Sequence, residues 1–273
     1  ESPARVTATP RLLENELLRA VLNERGELVS LFDKRAGREL IPEGEASNRL
    51  CLYEDRPVNF DNWDINDFYV RKPYALPAPE DIRALESGAV RGVVQITWRF
   101  GRSQLVQRLV LEADSPMLRF ETEADWHEKH LLLRVAFPTR LRSAFATYGT
   151  QFGSLARPTH RNTSWEQAKF EVCAHQWADL SEGDYGLSLL DDCKYGHSAL
   201  GGELSLTLLK CGADPNPTAD EGAHRFAYAL YPHAGDAAHC DVVQRAAAFN
   251  RPLLTLPAPA AHGDRPARFS LYR

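Results

Sequence analysis

Apolar residues recur at every second position along much of this chain. Val94, Ile96, Trp98 and Phe100 share one side of residues 94–100, with Gln95, Thr97 and Arg99 on the other. Leu118, Phe120, Thr122, Ala124 and Trp126 repeat the pattern against Arg119, Glu121, Glu123 and Asp125, and Phe226, Tyr228 and Leu230 repeat it again. A period of two puts alternate side chains on opposite faces of a strand. Strands with one dry and one wet face belong to antiparallel sheets. LVQRLVLEA (residues 105–113) follows the first strand through Gly101 and Arg102, a link short enough to predict a hairpin. Further turns are expected at Glu24-Arg25-Gly26, Ala36-Gly37-Arg38 and Glu182-Gly183-Asp184. Helical signal is sparse. DVVQRAAAFN (241–250) is the best helix, with Asp241 as its cap, Val242, Ala246 and Phe249 near one side, and Pro252 to stop it. LPAPAAHGDRPA (256–267) reads as a Pro/Ala-rich linker to a last strand-like FSLYR. The pattern predicts an all-β fold, a large antiparallel two-sheet β-sandwich with few helices, over residues 1–240. Residues 241–273 then hold the short helix, the linker and the start of a further β segment.

Composition narrows the functions open to such a fold. The chain has 273 residues and a net charge of -5, so it carries no basic field to hold a phosphate backbone, and nucleic acid is not an expected partner. No apolar run approaches the ~20 residues that span a bilayer, so no membrane partner is expected either. ESPARVTATP at the start lacks a charged n-region followed by an apolar h-region, so no signal peptide is expected. Cys51, Cys173, Cys193, Cys211 and Cys240 are odd in number and widely spaced, which argues against a disulfide framework or zinc knuckle and points to a cytoplasmic location. They read as small buried hydrophobes. Asn162-Thr163-Ser164 matches a glycosylation sequon and reads most simply as a polar loop.

Three clusters invite chemistry. NFDNWDINDFY (59–69) sets Asp61, Asp64 and Asp67 around Trp63. An indole covers the apolar face of a pyranose while acids bind hydroxyls, so this is a sugar-site pattern; a capped turn around a packed Trp is the alternative. DWHEKHLLL places His127 and His130 three apart around Glu128, but the spacing misses the H-E-x-x-H metal motif, and on a strand the two rings point to opposite faces. FGSLARPTHRNTSWEQAKF (152–170) gathers Arg157, His160, Arg161 and Trp165 in a turn-rich segment between strands, a place for substrate contacts or for ordinary surface pairing. A pair of acids for glycoside hydrolysis cannot be picked from 37 Asp and Glu by spacing, because such partners meet only in three dimensions.

Serial motifs add a family. LLENELLRAVLNERGELVSLFDKRAGREL (12–40), NFDNWDI, DWHEKHLLLRVAFP, RPTHRNTSW, EVCAHQWADLS, DCKYG and ALYPHAGD occur in the order seen in the C-terminal β region of retaining α-mannosidases of glycoside hydrolase family 38. The chain resembles the cytoplasmic or vacuolar type, also common in bacteria, from about Leu12 to about Pro252. The resemblance implies a galactose mutarotase-like supersandwich that is non-catalytic by itself. It implies an N-terminal catalytic domain as partner, with mannosides as substrate. In the complete enzyme a carboxylate nucleophile forms a mannosyl-enzyme and a second acid protonates the leaving oxygen. Zinc is expected in that absent domain, whose metal motif pairs a His and an Asp two apart; no cofactor, catalytic residue or metal ligand is assigned to this chain. Arg157 in the RPT segment is the first choice for a side chain reaching the cleft, with His160 beside it and the Asp61, Trp63 and Asp64 loop next. Asp191 stands where relatives often carry Asn and makes its loop more acidic. Two other readings compete. An epimerising or sugar-binding sandwich needs a His facing a Glu in a concave sheet, for which His175 and His197 are available. An oligomerisation module, forming a homo-oligomer, needs a large exposed apolar patch.

Overall fold

The computed structural model describes residues 5–254, so the linker at 256–267 and the FSLYR strand lie outside the described residues. Antiparallel strands dominate. One sheet has nine strands in the spatial order Gly153–Pro158, Phe145–Thr150, Trp177–Ser181, Tyr185–Asp191, Gly222–Ala234, Leu118–Trp126, Ser103–Glu112, Arg91–Phe100 and Asp81–Ser87. A second has six, ordered Val172–Cys173, Gly196–Leu200, Glu203–Cys211, Leu131–Pro138, Arg49–Glu54 and Pro73–Tyr74. The five short strands between Thr7 and Glu39 form a third. The third sheet packs along the nine-stranded one at Arg91–Phe100, where a side chain on Gly92 would lie 2.8 Å from Val6 and 3.1 Å from Leu13. One continuous apolar core joins all three sheets. The fold is therefore the expected β-sandwich, with one of its layers divided in two.

The periodicity explains which faces close. Leu118, Phe120, Thr122, Ala124 and Trp126 are all buried, as are Val94, Ile96 and Trp98. Phe120 stacks on Tyr228 within the nine-stranded sheet, at 5.0 Å between centroids, and both rings meet Phe137 from the six-stranded sheet. Several polar groups admitted to this core pair with one another around Gln107. Gln107 donates to Tyr228 Oη (2.8 Å) and accepts from Asn48 Nδ2 (2.8 Å). The hairpin at Gly101 forms as expected, with Ser103 opposite Phe100, and Gly26, Gly37, Gly101 and Gly183 all take positive φ at the turn positions read from sequence.

Four local expectations need correction. Asp241 precedes helix α2 (Val242–Asn250, numbered second because a five-residue α1, Ser164–Ala168, precedes it), but its carboxylate accepts from Tyr231 Oη and Arg245 Nε rather than capping the backbone. The apolar side of α2 does pack as read, Val242 and Ala246 joining Trp177, Leu190, Ala229 and Tyr231, with Phe249 against them. Of the cysteines only Cys211 is buried; Cys173 and Cys193 are exposed, because both sit at strand ends rather than in the sandwich interior. His127 and His130 lie in the loop between Leu118–Trp126 and Leu131–Pro138, not on a strand. Asp191 adds no acidity to a surface loop: it is buried at the end of its strand, 3.1 Å from His197 Nε2.

A second buried histidine, His233, makes stability depend on pH. His233 Nε2 lies 2.7 Å from the Asp179 carboxylate, which also accepts from Ser188 Oγ at 2.6 Å. Burial pushes the His233 imidazole down, but the hydrogen bond and charge of Asp179 outweigh it and hold the ring above its ordinary value. A raised histidine stabilises the fold fully below the unfolded value of about 6.5, and that contribution is lost as pH rises through the folded value. As pH rises above about 6.5 the native chain is thus expected to lose stability relative to His233→Gln. Urea unfolding at a series of pH values checks this; parallel curves for the two proteins would contradict it.

Candidate functional site

The edge hairpin of the nine-stranded sheet, Phe145–Thr150 with Gly153–Pro158, carries Arg157. Residues directly opposite in antiparallel strands share a face. Arg157 is opposite Ala146 and Leu155 opposite Tyr148, so Arg157 lies on the face of the buried Tyr148. Burial pushes the Tyr148 hydroxyl up to about 12, with the Arg157 charge and the Ala199 backbone pulling the other way. Tyr148 is therefore a neutral phenol at any physiological pH. The Arg157 Nε is buried with no hydrogen-bond partner.

After Pro158 the chain turns into α1, and its sequence dictates how. Thr163 accepts from the Glu166 N–H (3.2 Å) while Glu166 Oε2 accepts from the N–H groups of Thr163 (3.0 Å) and Asn162 (2.6 Å). This reciprocal capping box satisfies donors that a helix start leaves open. His160 Nδ1 sits 3.3 Å from the same carboxylate oxygen. Burial raises the Glu166 pKa, yet these backbone donors and His160 hold it below its ordinary value. The helix and the hairpin together enclose a cavity of about 250 Å³ lined by Tyr148, Arg157, His160, Trp165, Phe170 and Ser198, among others. Trp165 is 77% exposed at this cavity, which leaves its face open to a ligand.

Behind the cavity wall a buried arginine ties three segments together. Arg134, on the central strand of the six-stranded sheet, donates from Nε to Thr207 Oγ1 (3.1 Å), from Nη2 to Ser198 Oγ (2.9 Å) and from Nη1 to Tyr69 Oη. Its Nη2 is also 3.4 Å from the buried carboxylate of Glu171. Ser198 lines the cavity, and Glu171 sits between the lining residues Phe170 and Val172. Tyr69 ends the Asp61–Asp67 loop and approaches Phe170 at 6.3 Å between centroids. Arg134 thereby anchors both regions that the sequence singled out.

The loop itself divides. Asp61 Oδ2 accepts from the N–H groups of Ala213 (2.6 Å) and Asp214 (3.2 Å), and its Oδ1 lies 3.4 Å from His130 Nδ1. Burial raises its pKa, but the Ala213 N–H and His130 bring it below the usual carboxylate range. Asp61 thus latches its loop to the segment after Glu203–Cys211. Trp63 is 72% exposed, so it is not packed, and Asp64 is exposed beside it, with Oδ1 accepting from the Ile65 N–H. Arg157 and His160 therefore share one cavity, while Asp61, Trp63 and Asp64 occupy a neighbouring loop. Tyr148, Glu166, Phe170, Ser198 and the Arg134 network were not picked out from sequence. T-x-x-E at 163–166 was a legible capping signal; the rest are brought in by strand pairing.

Other candidates come apart. His175 meets Gln151 (2.9 Å) and Tyr195, and His197 meets Asp191, so neither faces a glutamate as an epimerase requires. A His-x-Asp spacing occurs at His239 and Asp241, where His239 pairs with Asp236 (2.7 Å) and Asp241 with Arg245 (2.8 Å), and again at His262 and Asp264, which lie outside the described residues. Among the described residues no three His, Cys, Asp or Glu side chains come together as a metal site. Among them, too, no helix is long and apolar enough to cross a membrane.

Comparison with known proteins agrees with this architecture. Residues 13–218 match the family described as glycosyl hydrolases family 38 C-terminal domain. A human protein named Alpha-mannosidase 2C1 is 46% identical over 251 residues, which is 91% of this chain and 24% of the relative. Alpha-mannosidase G of Dictyostelium discoideum is 40% identical, over 88% of this chain and 22% of its own length. The chain spans about a quarter of the length of the curated relatives it matches. In fold, the crystal structure of an alpha-mannosidase from Enterococcus faecalis superimposes with a TM-score of 0.74 at 17% identity, over 92% of this chain and 32% of that one.

Proposed function

Because the chain belongs to the glycosyl hydrolases family 38 C-terminal domain family, we propose that it is the non-catalytic C-terminal portion of a retaining α-mannosidase. In this reading the sandwich packs on an N-terminal catalytic domain and walls its substrate cleft. The observation that carries it is the cavity of Arg157, Tyr148, His160 and Trp165: a built recess with an open aromatic face and a buried guanidinium N–H that has no acceptor. Such a wall offers hydroxyl-binding donors and a stacking face to a sugar, but no pair of carboxylates placed for acid and nucleophile. Zinc, if it serves this enzyme, is expected in the catalytic domain. The chemistry is therefore carried by the partner domain, and this chain contributes positioning and exclusion of water.

Exposed apolar side chains at this edge support that packing. Leu155, on the Arg157 face of the edge hairpin, and Trp165 on α1 are both solvent-accessible. Hydrogen exchange is the direct check. Amides of residues 145–170 are expected to exchange more slowly in the longer protein than in this chain alone. Equal exchange rates there, with slowing elsewhere, would place the interface on another face.

A further inference from the structure

We infer that the cavity between the edge hairpin and α1 is a subsite for the acidic group of an anionic sugar, a phosphorylated monosaccharide unit. The inference deepens the reading of this cavity as a cleft wall and rests on it for the sugar. The charge does not balance inside the recess. Arg157, Arg161 and Lys169 line it against a single carboxylate, Glu166. That carboxylate is already committed to the backbone of Asn162 and Thr163 and to His160. Glu171, behind the wall, is paired with Arg134. Among the described residues no carboxylate lies within ion-pair distance of Arg157, Arg161 or Lys169, although the chain as a whole carries a net charge of -5.

A buried donor left without an acceptor is unfavourable, so the free Arg157 Nε marks a place for one. A planar guanidinium fits the paired oxygens of phosphate or carboxylate better than it fits a lone hydroxyl. The cavity's 250 Å³ equals roughly eight water volumes at about 30 Å³ each, more than a bare tetrahedral oxyanion fills. Trp165 and Phe170 supply aromatic faces for the rest of the ligand, as a pyranose ring prefers.

Calorimetric titration of the chain at low ionic strength with mannose 6-phosphate, inorganic phosphate and mannose tests this. Mannose 6-phosphate is expected to bind more tightly than inorganic phosphate, and mannose least tightly. Added salt is expected to weaken the first two. Arg157→Met is expected to lower affinity for mannose 6-phosphate about tenfold or more, the loss of one charge-assisted hydrogen bond, with an unchanged unfolding transition. Trp165→Ala is expected to weaken the sugar phosphate and leave inorganic phosphate unaffected. Mannose binding as tightly as its phosphate would overturn the acidic subsite while leaving the neutral cleft-wall reading intact. Failure of both phosphates to bind, or full binding by Arg157→Met, would overturn the inference outright.

Discussion

In the α-mannosidase proposed to contain this chain, Arg157→Ala is expected to lower kcat/KM for an aryl α-mannoside about 100-fold while leaving the fold intact. The two halves of this expectation have separate causes. Arg157 stands on the face of the edge hairpin that looks onto the cavity, and its neighbour Tyr148 is fixed in the core. A guanidinium held in that way is pre-positioned, and loss of a positioned donor falls on the transition state. Its Nε has no partner, and among the described residues no acid pairs with it, so truncation breaks little that holds the chain together. Steady-state kinetics and a thermal melt of the same variant decide the matter. Normal kinetics would remove Arg157 from the cleft; a lost fold with lost activity would make it structural.

Arg134→Ala is expected to be the most destabilising single change near the site, at about 3–5 kcal/mol, because it strands the carboxylate of Glu171 in the interior. Both groups are nearly inaccessible, with side chains 10% and 8% exposed. Tyr69, Ser198 and Thr207 lose a partner at the same time. Removing both charges is a milder change, since a buried pair often contributes little beyond its own desolvation. Arg134→Met with Glu171→Met is therefore expected to recover most of the loss. Urea unfolding of the two single variants and the double variant measures the coupling. Additive losses would show that the pair does not act as a unit.

How much of this was legible beforehand varies with the range of the interaction. Strand faces follow from a local period of two, so Phe120, Trp126 and Tyr228 could be placed in the core from the chain alone. Turns at Gly26, Gly37 and Gly101 were legible because a positive φ suits glycine. The division of one layer into two sheets was not, since Arg49–Glu54 follows the third sheet in the chain yet pairs with the distant Leu131–Pro138, Glu54 lying opposite Leu131. The site shows the same limit. Arg157 and His160 are close in sequence and do share a cavity, yet Tyr148 and Ser198 reach it only through the hairpin register and the six-stranded sheet. Asp61 looked like a sugar ligand because its sequence neighbours are Trp63 and Asp64; the backbone N–H groups of Ala213 and Asp214, which claim its carboxylate, are invisible from that position. Asp241 had the right residue type for a cap and was taken instead by Tyr231 and Arg245.

The measurement that bears most directly on the central claim is hydrolysis of an aryl α-mannoside in the presence of zinc, run on this chain and on the longer protein proposed to contain it. Turnover in the longer protein and none in this chain is the predicted result, because the described residues bring together neither a metal site nor a pair of acids at the cavity. Metal-dependent turnover by the chain alone would place the catalytic carboxylates among these 273 residues and contradict the account.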